Sequence, residues 1–403
     1  MSCCLAMATA FPGAQPAPQT IALVGGLVLT SPAAEPLEDG AVVIERGRVA
    51  SVGPRSRVAV PEGTRTIDCR SLVVVAGFQN SHVHFTEPHW ADAEAQPPAQ
   101  LGAQVRDMLT SRGFTTVADI GSMLSNTLAI RKRIEAGEVP GPRILTAGTP
   151  LYPPDGVPFY LKDGSIPPDL LKMLPQPASP QEATRTVART LENGADLIKL
   201  FTGSWVAPGK VKPMPVEVAA AAAGEAHRRR AIVIAHTSSA TGLEVTLSSG
   251  VDIIAHALDD MRGLTKEHLQ RMKAANVALI PTLTLFADAA HAPEILQQVG
   301  DYVNLGGDIL FGTDVGYHKT YDTRPEFELM GKAGLNWQQI LASLTTVPAR
   351  RFGEQHRRGE LVPGMDGDVV VLGSDPRQDV GAFADVRYTI RGGAIIYERS
   401  SQP

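Results

Sequence analysis

The sequence predicts an α/β protein, a (β/α)8 TIM barrel with a small β-sandwich domain built from both termini, and three observations predict it. Short apolar runs alternate with helical stretches eight times across residues 77–354. Both ends of the chain are instead rich in short β-type runs broken by turn residues, and the termini of a domain commonly lie close together. No G-x-G-x-x-G follows the first central run, which removes the main cue for an open dinucleotide-binding sheet.

Residues 1–20 are Ala- and Pro-rich, with a short apolar stretch from Cys3 to Phe11 before small residues. They lack the basic start of a secretion signal and a lipobox cysteine, so a flexible segment is the expectation, with a signal remnant as the alternative. A cytoplasmic location goes with the first reading, a periplasmic or secreted one with the second. Residues 21–76 read as antiparallel strands ("IALVGGLVLT", "GAVVIERGRVASVG", "RTIDCRSLVVV"), and 355–403 resume that style in "GDVVVLGSDP" and "VRYTIRGGAIIYE". These two stretches form the composite sandwich. Between them the expected barrel strands are "LVVVAGF", "FTTVADIG", "RILTAGT", "DLIKLF", "AIVIAH", "VDIIAHA", "VALIPTL" and "DILFGTD". "PVEVAAAAAGEAHRRR" and "TKEHLQRMKAAN" have helical composition and period. Pro-rich inserts follow the third and fourth runs, on the loops from which barrels build substrate pockets.

Composition excludes several function classes. The 403 residues are 43% hydrophobic with a mean hydropathy of −0.02, as expected of an enzyme-sized globular chain. A net charge of −5 announces no nucleic acid. No apolar run reaches the roughly 18 residues of a membrane span. Cys3, Cys4 and Cys69 form neither a disulfide framework nor a CxxC metal pair.

Six residues stand at or near the carboxyl ends of the expected strands, where such barrels do chemistry: His82 and His84, Lys199, His236, His256 and Asp314. His82 and His84, two apart in extended chain, project from one face, so one ion can take both imidazoles, and Asp314 can complete a catalytic site. Singly, each has a plainer explanation: a hydrogen-bonded packing histidine, a turn and helix cap at "GTD", or a Lys199 ion-paired with Asp196 or Asp119. Lys199 lies in "GADLIKLF", among Leu197, Ile198, Leu200 and Phe201, where a lone ammonium is costly.

With that pattern on the page, the chain resembles the amidohydrolase superfamily, in its imidazolonepropionase-related and prolidase-like branch of metal-dependent hydrolases. The resemblance runs from "LVVVAGFQNSHVHF" through "GADLIKLFTGS", "IVIAHTSSA", "GVDIIAHALDD" and "FGTDVG" to "GMDGDVVVLGSDP", with Asp368 in place and Gly367 where an alanine is common. It implies a carbamate formed by CO2 on Lys199 that bridges two divalent metals, zinc by default. His82, His84 and Asp314 would hold the more buried ion, and His236 and His256 the more exposed one. It further implies a metal-bridging hydroxide as nucleophile, with Asp314 as the proton shuttle that makes it catalytic.

The implied reaction is cleavage of an amide, peptide or cyclic-amide C–N bond in a small-molecule substrate by a homo-oligomeric enzyme. One rival is a mononuclear deaminase or imidazolone-type hydrolase, which Lys199 argues against. A more distant one is a non-catalytic barrel scaffold, which the complete ligand set argues against. Tyr152, Tyr317 and His318 are the candidate substrate contacts. Thr202 and Ser204 line the pocket or cap a helix, and Asp119 is expected to orient a ligand. His89, His227, His268, His291 and His356 fall off the mouth or on helices and receive no role.

Overall fold

The computed structural model describes residues 20–163, 166 and 168–400, a mixed α/β chain. Residues 1–19 with Cys3 and Cys4, on which the targeting expectation falls, lie outside the described residues.

The chain opens with β1 (Ile21–Leu29), β2 (Leu37–Glu45), β3 (Arg48–Pro54), β4 (Arg65–Asp68) and β5 (Val73–Ala76). β1 is the hub: it runs antiparallel to β2 with Leu23 opposite Val42, and parallel to β4 and β5 with Val28 opposite Val74. Its β-branched and leucine side chains pack with those of the neighbouring strands into a buried cluster that includes Leu23, Val42, Ile44, Val74 and Val371.

The run "LVVVAGF" is therefore not the first strand of the central set. Its valines pair with β1, and the chain breaks at Gly77 before β6 (Phe78–Val83) begins. A side chain at Gly77 would come within 2.4 Å of Thr115 Oγ1, so only glycine lets the backbone cross so close. His82 consequently lies inside its strand rather than after it.

β6 pairs in parallel with β7 (Phe114–Asp119), and β7 with β8 (Arg143–Thr146). After an insert over 147–179, β9 (Leu197–Phe201) carries Lys199 as its third residue. The second Pro-rich insert forms a hairpin of β10 (Gly203–Ala207) and β11 (Lys210–Pro213). β12 (Ile232–His236), β13 (Ile253–Ala255) and β14 (Ala278–Ile280) complete a parallel sheet in the order β14-β13-β12-β9. Backbone bonds join the two parallel sheets, with Asp196 N donating to Thr146 O at 2.8 Å and Leu151 bridging Leu200.

The eighth run, "DILFGTD", forms no regular strand. It is tied on both sides by isolated backbone bonds, Leu279 N to Asp308 O at 3.0 Å and Leu310 N to Leu279 O at 2.9 Å on one side and Ser81 N to Phe311 O at 2.8 Å and Asp314 N to His82 O at 3.0 Å on the other, which bring the order back to β6. Inside lie Ala118, Ala147, Ile234, Ile253, Ala278 and Leu310, each buried. Burying an isoleucine or leucine of this kind stabilises by about 1.5–3 kcal/mol. Helices such as Val216–Arg228 and Lys266–Ala274 cover the outside, as their periodicity predicts.

The chain then returns through β15 (Val369–Leu372), β16 (Val386–Arg391) and β17 (Ala394–Glu398), with Val371 opposite Val74. Both ends thus share one eight-stranded sheet in the order β17-β16-β15-β5-β1-β2-β3, with β4 on β1. Asp368 accepts from Arg143 at the amino end of β8 and from Gly392 N at 2.8 Å, fastening this sheet to the parallel strands. At Gly367 a methyl group would sit 2.4 Å from Ile44 Cγ2, a packing reason for the missing alanine.

Candidate metal centre

Strand alternation turns His82 inward from β6, and His84, one residue past its end, follows on the same face. Asp314 reaches them because its backbone is left-handed (φ 58°) and its N–H donates to His82 O at 3.0 Å. The result is a tight triangle. His82 Nε2 and His84 Nε2 each lie 2.9 Å from Asp314 Oδ1, and 3.1 Å from one another.

Protons alone satisfy this triangle poorly. If both imidazoles donate to Asp314, two N–H groups face each other at 3.1 Å. Ligand atoms held at right angles about 2.1 Å from one cation lie about 3.0 Å apart, so the spacing suits a metal ion. His82, His256 and Asp314 also offer ligand atoms within 4.8 Å of one another. All three are buried.

His256 follows β13 in a left-handed conformation (φ 72°), and its Nδ1 lies 2.8 Å from Thr282 Oγ1. With the Thr282 hydroxyl proton directed to Pro281 O at 2.8 Å, Thr282 Oγ1 is free to accept from His256 Nδ1–H. The tautomer follows: His256 Nε2 keeps its lone pair, the state a metal ligand needs. His236, the last residue of β12, stacks on Phe201 at 4.5 Å and 12°, and its ring meets that of His256 edge-on at 4.7 Å.

Burial pushes His82 down to about 3, and holds His236 and His256 well below the usual histidine range, so these rings are neutral. Burial also pushes Asp314 up, but the His82 and His84 rings against its Oδ1 outweigh that and hold it well below the usual carboxylate range. Lys199 is buried in β9, and desolvation brings it down to about 7 against the pull of Asp314.

Neither carboxylate that would make Lys199 an ordinary ion pair reaches it. Asp196 is held by Arg131 Nη1 at 2.6 Å and Thr146 N at 2.9 Å. Asp119 accepts from Ser122 Oγ at 2.5 Å, Thr127 Oγ1 at 2.7 Å and Thr146 Oγ1 at 3.1 Å. Ser122 Oγ in turn accepts from Phe85 N at 2.8 Å, so Asp119 braces the chain just past His84. Thr202 Oγ1 bonds Thr246 at 2.8 Å and His236 O at 3.2 Å, and Ser204 ties the hairpin to Gly156 O at 2.5 Å.

The three expected substrate contacts separate. Tyr152 is buried and packs on Phe201 at 4.6 Å. Tyr317 is 48% exposed, with its ring 5.6 Å from that of Tyr160. His318 closes a local turn, accepting from Thr320 N at 3.3 Å. Sequence reading passed over Tyr160, Thr282 and the Asp259 carboxylate that Trp205 Nε1 bonds at 3.0 Å. Tyr160 was hidden in the Pro-rich insert, and for Thr282 the only cue was its place at the end of the seventh run.

The model of the Amidohydrolase family matches residues 73–396. Among solved structures, a Xaa-Pro dipeptidase with bound methionine in its active site is 22% identical, covering 94% of this chain and 100% of its own, at a TM-score of 0.80. A prolidase complexed with N-methylphosphonate-L-proline is 25% identical over 94% and 100%, at 0.78. Ochratoxinase of A. niger is 20% identical over 94% and 96%, at 0.77. A 5-methylthioadenosine/S-adenosylhomocysteine deaminase of Syntrophobacter fumaroxidans is 44% identical over 64 residues, a match spanning 15% of each chain.

Proposed function

Because the chain belongs to the amidohydrolase family of hydrolytic enzymes, we propose that it is a binuclear metal-dependent hydrolase cleaving an amide, peptide or cyclic-amide C–N bond. The observation that carries the reading is Lys199, buried within electrostatic reach of His82, His236, His256 and Asp314 and in salt-bridge contact with no carboxylate among the described residues. Within the same reading, residues 77–354 form a (β/α)8 barrel, and 21–76 with 355–403 form a composite β-sandwich.

Lys199 Nζ, uncharged over much of the neutral range, adds CO2 through its lone pair and loses a proton, and the resulting carbamate is a bidentate anion. His82, His84 and Asp314 would hold one divalent cation and His236 and His256 a second, with the modified Lys199 as a further ligand. Bound there, two such ions, zinc by the donor set, supply a water of lowered pKa and a Lewis acid for the scissile carbonyl. Asp314, kept ionised, takes a proton from the attacking water and passes it to the leaving nitrogen. Thr282 fixes the His256 ring, and Phe201 fixes His236.

The local similarity to a deaminase favours one rival, a single-ion site without the carbamate. Metal analysis separates the two. We expect two ions per chain at full activity, a labelled carbamate carbonyl signal after growth with isotopic bicarbonate, and loss of both in Lys199→Ala. One ion per chain at full activity with unmodified Lys199 overturns the binuclear reading.

A further inference from the structure

We propose that the mouth carries an aromatic subsite, formed by Tyr160 and Tyr317 with Phe159 beyond them, which takes a bulky apolar or aromatic group next to the scissile amide. The inference rests on the hydrolytic reading above and names the substrate class it serves.

A chain of ring contacts leads outward from the ligand residues. Tyr317 stands three residues after Asp314, and its ring meets Tyr160 edge-on at 5.6 Å and 63°. Tyr160 meets Phe159 at 5.7 Å and 70°. A second chain runs from His236 through Phe201 to Tyr152, at 4.5 and 4.6 Å. Aromatic rings prefer such edge-on and offset partners at about 4.5–7 Å, so a substrate ring would extend a ladder already present.

Exposure points the same way. Eight large hydrophobic side chains are exposed among the described residues. Met123, Phe159, Leu170, Met173, Val216 and Tyr317 all belong to segments that follow strands at their carboxyl ends. Of these six, Phe159 and Tyr317 are joined through the Tyr160 ring, so the exposed apolar surface is continuous at the aromatic pair. Of the charges on these loops, Arg262 is taken by Asp260 at 2.7 Å and by Gly209 O at 3.0 Å, and Asp259 by Trp205, whereas Lys162 and Asp163 follow closely after Phe159 and Tyr160, and Asp163 lies within electrostatic reach of Tyr317.

The test compares kcat/KM for paired substrates of one amino acid, N-acetyl against N-benzoyl or N-naphthoyl, using metal-loaded enzyme. The bulky member should be preferred on the order of tenfold to a hundredfold, mostly through KM. Tyr317→Ala and Phe159→Ala should bring that ratio toward one, while Tyr317→Phe, which keeps the ring, should retain it. Equal kcat/KM for both members, or a ratio untouched by the alanine variants, overturns the subsite and leaves the reaction standing. No hydrolysis across the panel overturns the reaction, and the subsite with it. A dimer by light scattering that Phe159→Ser and Met173→Ser dissociate would assign the rim to a second copy of the chain and overturn the proposal.

Discussion

The two ends of the parallel strands both bury charged side chains, and they do so in opposite ways. At the amino ends, the charges of Arg143, Asp366, Asp368 and Arg358 balance one another, with Arg358 Nε alone of their polar atoms buried without a hydrogen-bond partner among the described residues. Arg143 bonds Asp368 and lies 3.3 Å from Asp366, which Arg358 reaches at 3.0 Å. At the carboxyl ends, His82, His84 and Asp314 crowd together, and Nδ1 of His82 and of His84 is buried without a hydrogen-bond partner among the described residues. The backbone is left-handed there at His256, Thr282 and Asp314, none of them glycine. A balanced buried network holds two parts of the molecule together. An unbalanced one, kept under local strain by its surroundings, is poised for something the chain alone does not provide.

Two substitutions make that contrast measurable. Asp314→Asn keeps the shape of the mouth and removes the proton carrier. We expect kcat to fall on the order of 10³-fold with little change in the urea midpoint. Arg143→Ala leaves Asp368 buried without a cation while Asp366 keeps Arg358, so stability should fall by about 3–5 kcal/mol in urea titration, while kcat of the folded, metal-loaded fraction holds. If Asp314→Asn unfolds the protein, or Arg143→Ala abolishes turnover in its folded fraction, the two ends are not separable.

Legibility in the sequence divides along the same line. The six candidate site residues could be named because each stands at a countable distance from the end of an apolar run, and a run such as 232–235 is apolar throughout because both its faces are covered. The same continuity hid the break at Gly77, since valines of the terminal sheet and the phenylalanine of β6 read as one strand. The eighth segment holds its place by isolated bonds, so its apolar pattern overstated its regularity. Thr282, Tyr160 and the Asp259–Trp205 pair act from outside the parallel strands, through left-handed backbone or contacts distant in sequence, and no periodicity announces them.

Glu326 tests the mouth from behind and gives the smallest of these effects. It is buried, and its carboxylate accepts from Leu283 N at 2.8 Å and from Thr284 N and Oγ1 at 2.7 Å, steadying the residues next to Thr282 and hence the His256 ring. Burial without a cation pushes it up to about 7, with those three donors pulling the other way. A carboxyl raised in the folded state binds its proton more tightly there than when unfolded. Its contribution to stability is therefore complete below about 4.5 and is lost as the pH rises to about 7. The loss is on the order of 3 kcal/mol, from the difference between those values. Urea midpoints measured across this window should fall for the wild type relative to Glu326→Gln, whose side chain does not titrate. Parallel profiles would show that the three donors alone keep Glu326 ionised. The back of the mouth would then resemble the balanced amino ends, and the division between the two regions would end at the metal ligands themselves.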